Sequence, residues 1–347
     1  MKRSDFYLII GLILLKVVCD LNYEIIIGNF FSYQNFLLSQ SNFSNILSWI
    51  IFFFLLPLMV MNFQRNEISH KVVSILIIIS LIPNLTMIKF HSNYDLKFIF
   101  LIVLYWFIFL LLNLIIHKKK IKGFIKGDQR IIYFITICYI SAVVFISWKL
   151  TSFRLTFDLY DVYKIRTEAR GYNVSFLLGY FVNFADNILP ILFVYFVLIK
   201  RKVFSLILFF IIILNFGIAA LKQIIFLLLF AIIGLLFVSF IKKSHYYVLG
   251  SIFLLLLTFL EYYNFETILL SDFFSYRILF IPAKLNYVYY DFFNINELDY
   301  FRQSFLKYFL DSPYKENIGF IMGYHDIQDH TARANNGLFS DAYMNFG

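Results

Sequence analysis

Three arginines and two groups of outlying polar residues carry whatever chemistry this chain performs. Arg166 and Arg170 stand one helical turn apart, behind Tyr163 at i, i+3 and i+7, so a helix would put all three on one face. Paired guanidinium groups of this kind suit the bidentate recognition of a phosphate or pyrophosphate. The plainer alternative is that they pair with Asp161, Glu168 or lipid headgroups. Asp158 reads as the N-cap of that helix and Gly171 as its C-terminal stop. Further on, Arg277, Lys284 and Asp291 recur every seven residues, on a different stripe from the apolar Ile278, Ile281, Leu285, Val288 and Phe292. That pattern predicts an amphipathic helix on a membrane surface, and Pro282 is best placed in the first turn of a helix starting there. Tyr287, Tyr289 and Tyr290 offer rings that could stack on sugars, although tyrosine is also expected at any membrane interface. The last stretch holds His325, His330, Arg333, Asn335, Asn336 and Asp341. A histidine there could serve as a general base near neutral pH, or be a solvated loop residue.

The elements that must position these groups are membrane helices. Only 15% of the 347 residues are charged and 61% are hydrophobic, whereas a soluble domain needs roughly a quarter charged. Apolar stretches of spanning length cover Phe6–Gly28, Phe43–Phe63, Val72–Ile88, Phe98–Ile116, Ile131–Leu150, Val174–Ile199, Val203–Leu221, Gln223–Ile241 and Tyr246–Leu260. The expected fold is an all-α integral membrane protein with about nine transmembrane helices, since lipid requires each backbone segment to satisfy its own hydrogen bonds. Met1-Lys2-Arg3 opens like a signal peptide, but Lys16, Asp20 and Glu24 and the lack of a small-residue cleavage site favour a retained first helix.

Charge sets the expected orientation. With the N-terminus inside, the inner segments carry Lys2 and Arg3, then Arg65 and Lys71, then Lys118 to Arg130. Lys200-Arg201-Lys202 and Lys242-Lys243 complete the set, as the positive-inside rule requires. Residues 1–260 are then a bundle with an outer loop at 151–173, and 261–347 form a large outer segment. The net charge of +9 is read as topology charge, which argues against nucleic-acid binding. Within the bundle, a charge at the bilayer centre costs about 2.5–3.5 kcal/mol. Lys16 and Asp20 are therefore expected to pair, Asp186 to face a cavity, and Lys222 to sit at the outer membrane edge between two helices that meet almost without a loop. Cys19 and Cys138 lie in apolar runs, which argues against a disulfide framework or metal cluster. No nucleotide, metalloprotease or hydrolase motif is present, so an enzyme here would use a substrate already activated.

The run from Asp158 to Arg166 with Arg170-Gly171 behind it resembles the outer loop of bacterial oligosaccharide repeat-unit polymerases, the Wzy-type enzymes of O-antigen and capsule synthesis. Also similar are the Lys222 junction, the stretch Arg277–Ala283 with Tyr289–Phe293, and the ending Ala334–Gly347. The resemblance runs from Phe157 to the end; the first half matches in topology only. It implies a glycosyltransferase of the cytoplasmic (inner) membrane that works on the outer face without cofactor or metal. Such enzymes move a growing glycan from undecaprenyl pyrophosphate onto a lipid-linked repeat unit. It also implies membrane lipid, a chain-length regulator and a flippase as partners. Arg166, Arg170, Lys222 and Arg277 would then bind pyrophosphate, and His330 or Asp341 would activate the acceptor hydroxyl. Tyr287, Tyr290, Asn335 and Asn336 would contact sugar. In the related O-antigen ligases a histidine on the large outer loop is the favoured base; Asn335 and Asn336 stand here where it is found. Family members continue with further helices past the phrase ending at Gly347, so a longer chain is expected. The competing readings are a lipid-linked oligosaccharide flippase, which would place charge near the midplane, and an O-antigen ligase.

Overall fold

The computed structural model describes all residues except 1–2, 117–127, 155–164, 166, 170, 173–175, 220, 237–244, 305, 307–308 and 335–336; for 3, 4, 176–178, 180, 182, 183, 219 and 222 it describes the backbone only. Among the described residues the chain is 80% helical with no strand. Five helices are long and apolar enough to cross a membrane: α2 (Asn42–Gln64), α3 (Ile68–Phe90), α4 (Leu96–Ile115), α5 (Gln129–Thr151) and α9 (His245–Phe265). The last of these is longer than the apolar stretch Tyr246–Leu260, because polar residues at both ends join the helix. Helix α1 (residues 3–30) carries the charged ladder, and α6 (Phe176–Leu198), α7 (Lys202–Ala219) and α8 (Lys222–Leu236) complete the apolar set. The near-loopless junction at Lys222 is therefore present in the backbone: α7 ends at Ala219 and α8 begins at Lys222.

The chain forms two compact units, residues 1–117 with 242–347, and residues 118–241. In the first, α1 packs on α2, α3 and α9, while α2 packs on α3 and α4. Helix α4 shows why the sequence reads as a membrane protein. Phe98, Ile102, Trp106 and Leu110 are buried, yet Phe100, Leu104, Ile108 and Leu112 on other faces are 39–63% exposed and just as apolar. An apolar exposed face of that length is a liability in water and is the expected surface in lipid. Helix ends are set locally. Ser41 and Ser44 form a reciprocal capping box at α2, and Asp95 and Asp128 accept from the backbone N–H groups of Lys97 and Arg130 to start α4 and α5.

Buried polar groups inside the helices find one another. Lys16 Nζ lies 2.5 Å from Asp20 Oδ1, as its spacing predicts, and the structure adds Thr86 Oγ1 at 2.7 Å and Lys89 Nζ at 3.3 Å from α3. The carboxylate thus holds two cations and a hydroxyl. In the second unit α6 packs on α5, α7 and α8, and Asn215 of α7 donates to Asp186 of α6 at 2.7 Å.

After α9 the chain enters a wide-turned helical segment, Ser271–Phe280, that runs without a break into α10 (Ile281–Ile295); Pro282 stands where the wide turns give way to α-helical ones, not at a free helix start. Two short helices come next, α11 (Ile318–Ile327) and α12 (Leu338–Phe346). The stripe of alternate apolar residues suggested an amphipathic surface helix. Instead α10 contacts α3, α11 and α12, and Lys284, Asn286, Tyr289 and Tyr290 are buried along with Leu285 and Val288. Its polar residues are met by distant segments on both sides in sequence, Asn286 by Asn84, Tyr290 by Asp95 and Lys284 by Gln34 and Asp326, which a periodicity argument confined to one helix does not see.

Candidate functional site

Arg277 in the last turn of the wide segment and Lys284 in α10 line one cavity of about 540 Å³, together with Gln34, Gly323 and Asp326 of α11, and Arg333. The sevenfold spacing of the charged stripe therefore has a spatial meaning. Lys284 is 5% exposed; its ammonium lies 2.5 Å from Asp326 Oδ2 and donates to the Gln34 carbonyl at 2.7 Å, 4.8 Å from the centre of the Phe36 ring. Burial holds the ammonium below the ordinary lysine range, against the opposing pull of Asp326. Arg277 is more open, with Nε donating to Asp272 Oδ2 at 3.2 Å. The lining thus carries three cations, Arg277, Lys284 and Arg333, and one carboxylate, Asp326; with Asp272 paired to Arg277 the surplus is one positive charge, of the sign suited to an anion.

The shape of this cavity depends on Gly323. A side-chain carbon there would meet the backbone carbonyl of Ala332, so only glycine lets α11 lie this close to the segment that carries Arg333. Asn317 caps the start of α11 by accepting from Gly319 N at 3.0 Å, and Gln328, at φ 56°, turns the chain back at its end.

A second cavity, of about 370 Å³, shares Arg333 and Ala334 with the first. Tyr289, Asp299, Gln303 and Asp341 supply its polar wall. Tyr289 projects from α10 with its hydroxyl 3.4 Å from the Ala334 carbonyl, and burial pushes its phenol up to about 12. Asp299 is 1% exposed and accepts from Gln303 N at 2.9 Å and Ser312 Oγ at 3.3 Å. The turn just after it has two successive left-handed residues, Tyr300 (φ 49°) and Phe301 (φ 63°). Conformations of this kind cost of order 1–3 kcal/mol each. Bonds from Phe301 N to Asn345 Oδ1 at 2.7 Å and from Asp299 N to the Met344 carbonyl at 3.0 Å fasten the turn to α12.

The residues singled out from sequence fall into separate places. Arg277 lines the cationic cavity and Asp341 the second one. His330 does neither; it is exposed and stacks on Tyr324 at 4.0 Å. Tyr287 stacks on Tyr94 at 4.2 Å, and Tyr290 donates to Asp95 Oδ2 at 2.6 Å, so both are engaged in packing α10 against the start of α4. That hydrogen bond, with one from Lys97 N, holds the Asp95 carboxyl below its usual range. Arg166, Arg170, Asn335 and Asn336 lie outside the described residues, as do the Lys222 side chain and the start of the helix expected from Asp158; of that helix, residues 165 and 167–169 are described and helical, and Glu168 pairs with Arg154 at 2.8 Å. Sequence reasoning did not single out Lys284, Asp326, Arg333, Asp299 or Gln303 as site residues. The stripe Arg277, Lys284, Asp291 was the available signal: Lys284 meets Asp326 and Asp291 meets His325 at 3.1 Å, so the stripe turns toward α11.

The fold and the cavities define an all-helical protein with the build of a multi-pass membrane protein, carrying a cation-rich cavity beside a mixed-charge one. No family model, curated protein or solved structure matches the chain.

Proposed function

We propose that this chain is a membrane glycosyltransferase of the repeat-unit polymerase kind. It moves a glycan from a polyprenyl pyrophosphate carrier onto a lipid-linked acceptor at the outer face of the cytoplasmic membrane. The observation that carries the reading is the cavity lined by Arg277, Lys284, Arg333 and Asp326, beside a second cavity that presents Asp341. The distribution of basic residues along the sequence supports nine spans, an inner N-terminus and an outer position for α10 to α12.

In this reaction Asp341 takes the proton of an acceptor hydroxyl, and the oxygen attacks the anomeric carbon of the donor sugar. The bond from that carbon to the pyrophosphate oxygen breaks, and its electron pair leaves with the pyrophosphate lipid. Arg277, Lys284 and Arg333 hold the charge that develops there. Asp341 is preferred to His330 as base because it lies in the cavity that shares a wall with the cationic one, whereas His330 lies on Tyr324. The test is the chain-length distribution of surface polysaccharide on gels. Arg277→Ala, Arg333→Ala and the double variant are each expected to shift it toward single repeats. Unchanged distributions in all three would end the arginine-clamp account.

A further inference from the structure

The second cavity has a charge balance unlike the first. Two carboxylates, Asp299 and Asp341, one guanidinium, Arg333, and the buried ring of Tyr289 line it; the Gln303 amide lines it too but is engaged within the chain, its Oε1 accepting from Ile318 N and its Nε2 donating to Ser312 Oγ and the Glu316 carbonyl. Carboxylates, each with several acceptor positions, suit pairs of hydroxyl groups, and a ring edge or face suits the C–H side of a sugar. Its volume of about 370 Å³ lies at the lower end of the range for small-molecule sites, about 300–1,000 Å³, which is room for a single saccharide unit rather than an oligomer. The excess of one negative charge opposes an acidic ligand. Arg333 belongs to both linings, so a group held there borders an anion held next door.

We propose that the cavity bounded by Tyr289, Asp299, Gln303, Arg333 and Asp341 is a saccharide subsite selective for a neutral or amino-bearing sugar over a uronic acid. Arg333 is the shared wall that sets this sugar against the phosphate group of the neighbouring cavity. The assignment deepens the polymerase reading and rests on it for the identity of the sugar as acceptor; the binding itself does not require turnover. Selectivity has a simple origin: a uronate carboxylate would lie among Asp299 and Asp341 with one arginine to offset both.

The experiment uses the full chain in lipid nanodiscs and saturation-transfer NMR with two probes, methyl N-acetyl-β-glucosaminide and methyl β-glucuronide. The neutral probe is expected to bind, and the glucuronide at least about tenfold more weakly, since like charges across an interface cost several kcal/mol. Asp341→Asn is expected to narrow that ratio by admitting the glucuronide. Ser304→Trp, at an exposed position on the rim, is expected to abolish binding of the neutral probe and leave inorganic pyrophosphate binding intact, which also reports that the variant is folded. Equal binding of both probes, or neutral-probe binding untouched by Ser304→Trp, would overturn the proposal. A strain lacking the protein that still made full-length polymer would instead remove the polymerase reading, and the selectivity measurement would stand by itself.

Discussion

Lys284 and Asp326 form an ion pair at 2.5 Å, and seven residues further along α10, Asp291 meets His325 at 3.1 Å. Helix α11 is therefore fastened to α10 at adjacent positions of its last turn, once in the interior and once at the surface. The inner contact is the one with energetic weight, because side-chain exposure is 6% for Lys284 and 12% for Asp326, while exposed pairs contribute little.

Asp326→Ala leaves the buried ammonium without its carboxylate. A loss of about 3–5 kcal/mol is expected, the usual consequence of removing one member of a buried pair. The double change Lys284→Met with Asp326→Leu should recover much of it. Thermal unfolding in nanodiscs checks both; a double variant as unstable as Asp326→Ala would contradict the pairing.

The same pair makes anion binding sensitive to pH. Burial holds the Lys284 ammonium below 10.5, so its charge is lost as pH rises through that lowered value, and affinity for inorganic pyrophosphate should fall in the same window. Between the lowered value and 10.5 the unfolded chain binds more protons than the folded one, so stability rises while affinity falls. Asp326→Asn removes the group that opposes the shift, which moves the loss of affinity to lower pH. Titration calorimetry across the alkaline range reads the midpoint.

His91 stands just past the end of α3, with Nε2 2.8 Å from the Tyr23 hydroxyl, and burial together with the nearby Lys284 ammonium pushes its imidazole down to about 4 from 6.5. Between those values the unfolded chain takes a proton that the folded one refuses. Stability from this group is complete above pH 6.5 and is lost as pH falls toward 4, by on the order of 3 kcal/mol. His91→Gln should flatten that part of the stability profile, measured as unfolding temperature against pH.

Gly323→Ala should push Ala332 and the chain carrying Arg333 away from α11. Pyrophosphate affinity is expected to fall about tenfold, the scale of one charge-assisted contact. An unchanged affinity would mean that Arg333 takes no part in holding the anion.

In the bundle, Asp20→Ala leaves Lys16 and Lys89 without their shared carboxylate, whereas Lys16→Met leaves Asp20 still bound by Lys89 and Thr86. Asp20→Ala should therefore be the more harmful, by about 2 kcal/mol or more. Folded yield in membranes and thermal unfolding compare the two.

The membrane class, the pairing of Lys16 with Asp20 and the helix junction at Lys222 were legible because each depends on spacing within one segment; the helix start expected at Pro282 was not, since the helix runs on through it from the wide-turned segment before. What was not legible depends on contacts distant in the chain. Thr86 and Lys89 come to Asp20 from another helix, and Asn215 comes to Asp186 from the next one. Lys284 read as one charge on an amphipathic stripe, and became a site residue only when α11 brought Asp326 over it. Tyr287 and Tyr290 have a residue type that suits sugars, yet Tyr94 and Asp95, far back in the chain at the start of α4, had already engaged them.

The most direct test of the polymerase account is the pool of lipid-linked saccharides in a strain lacking this protein. Single repeat units on polyprenyl pyrophosphate are expected there, accessible from the outer face, restored to polymer by the wild-type chain but not by Arg277→Ala. Full-length polymer on the carrier, or single units confined to the inner face, would contradict it.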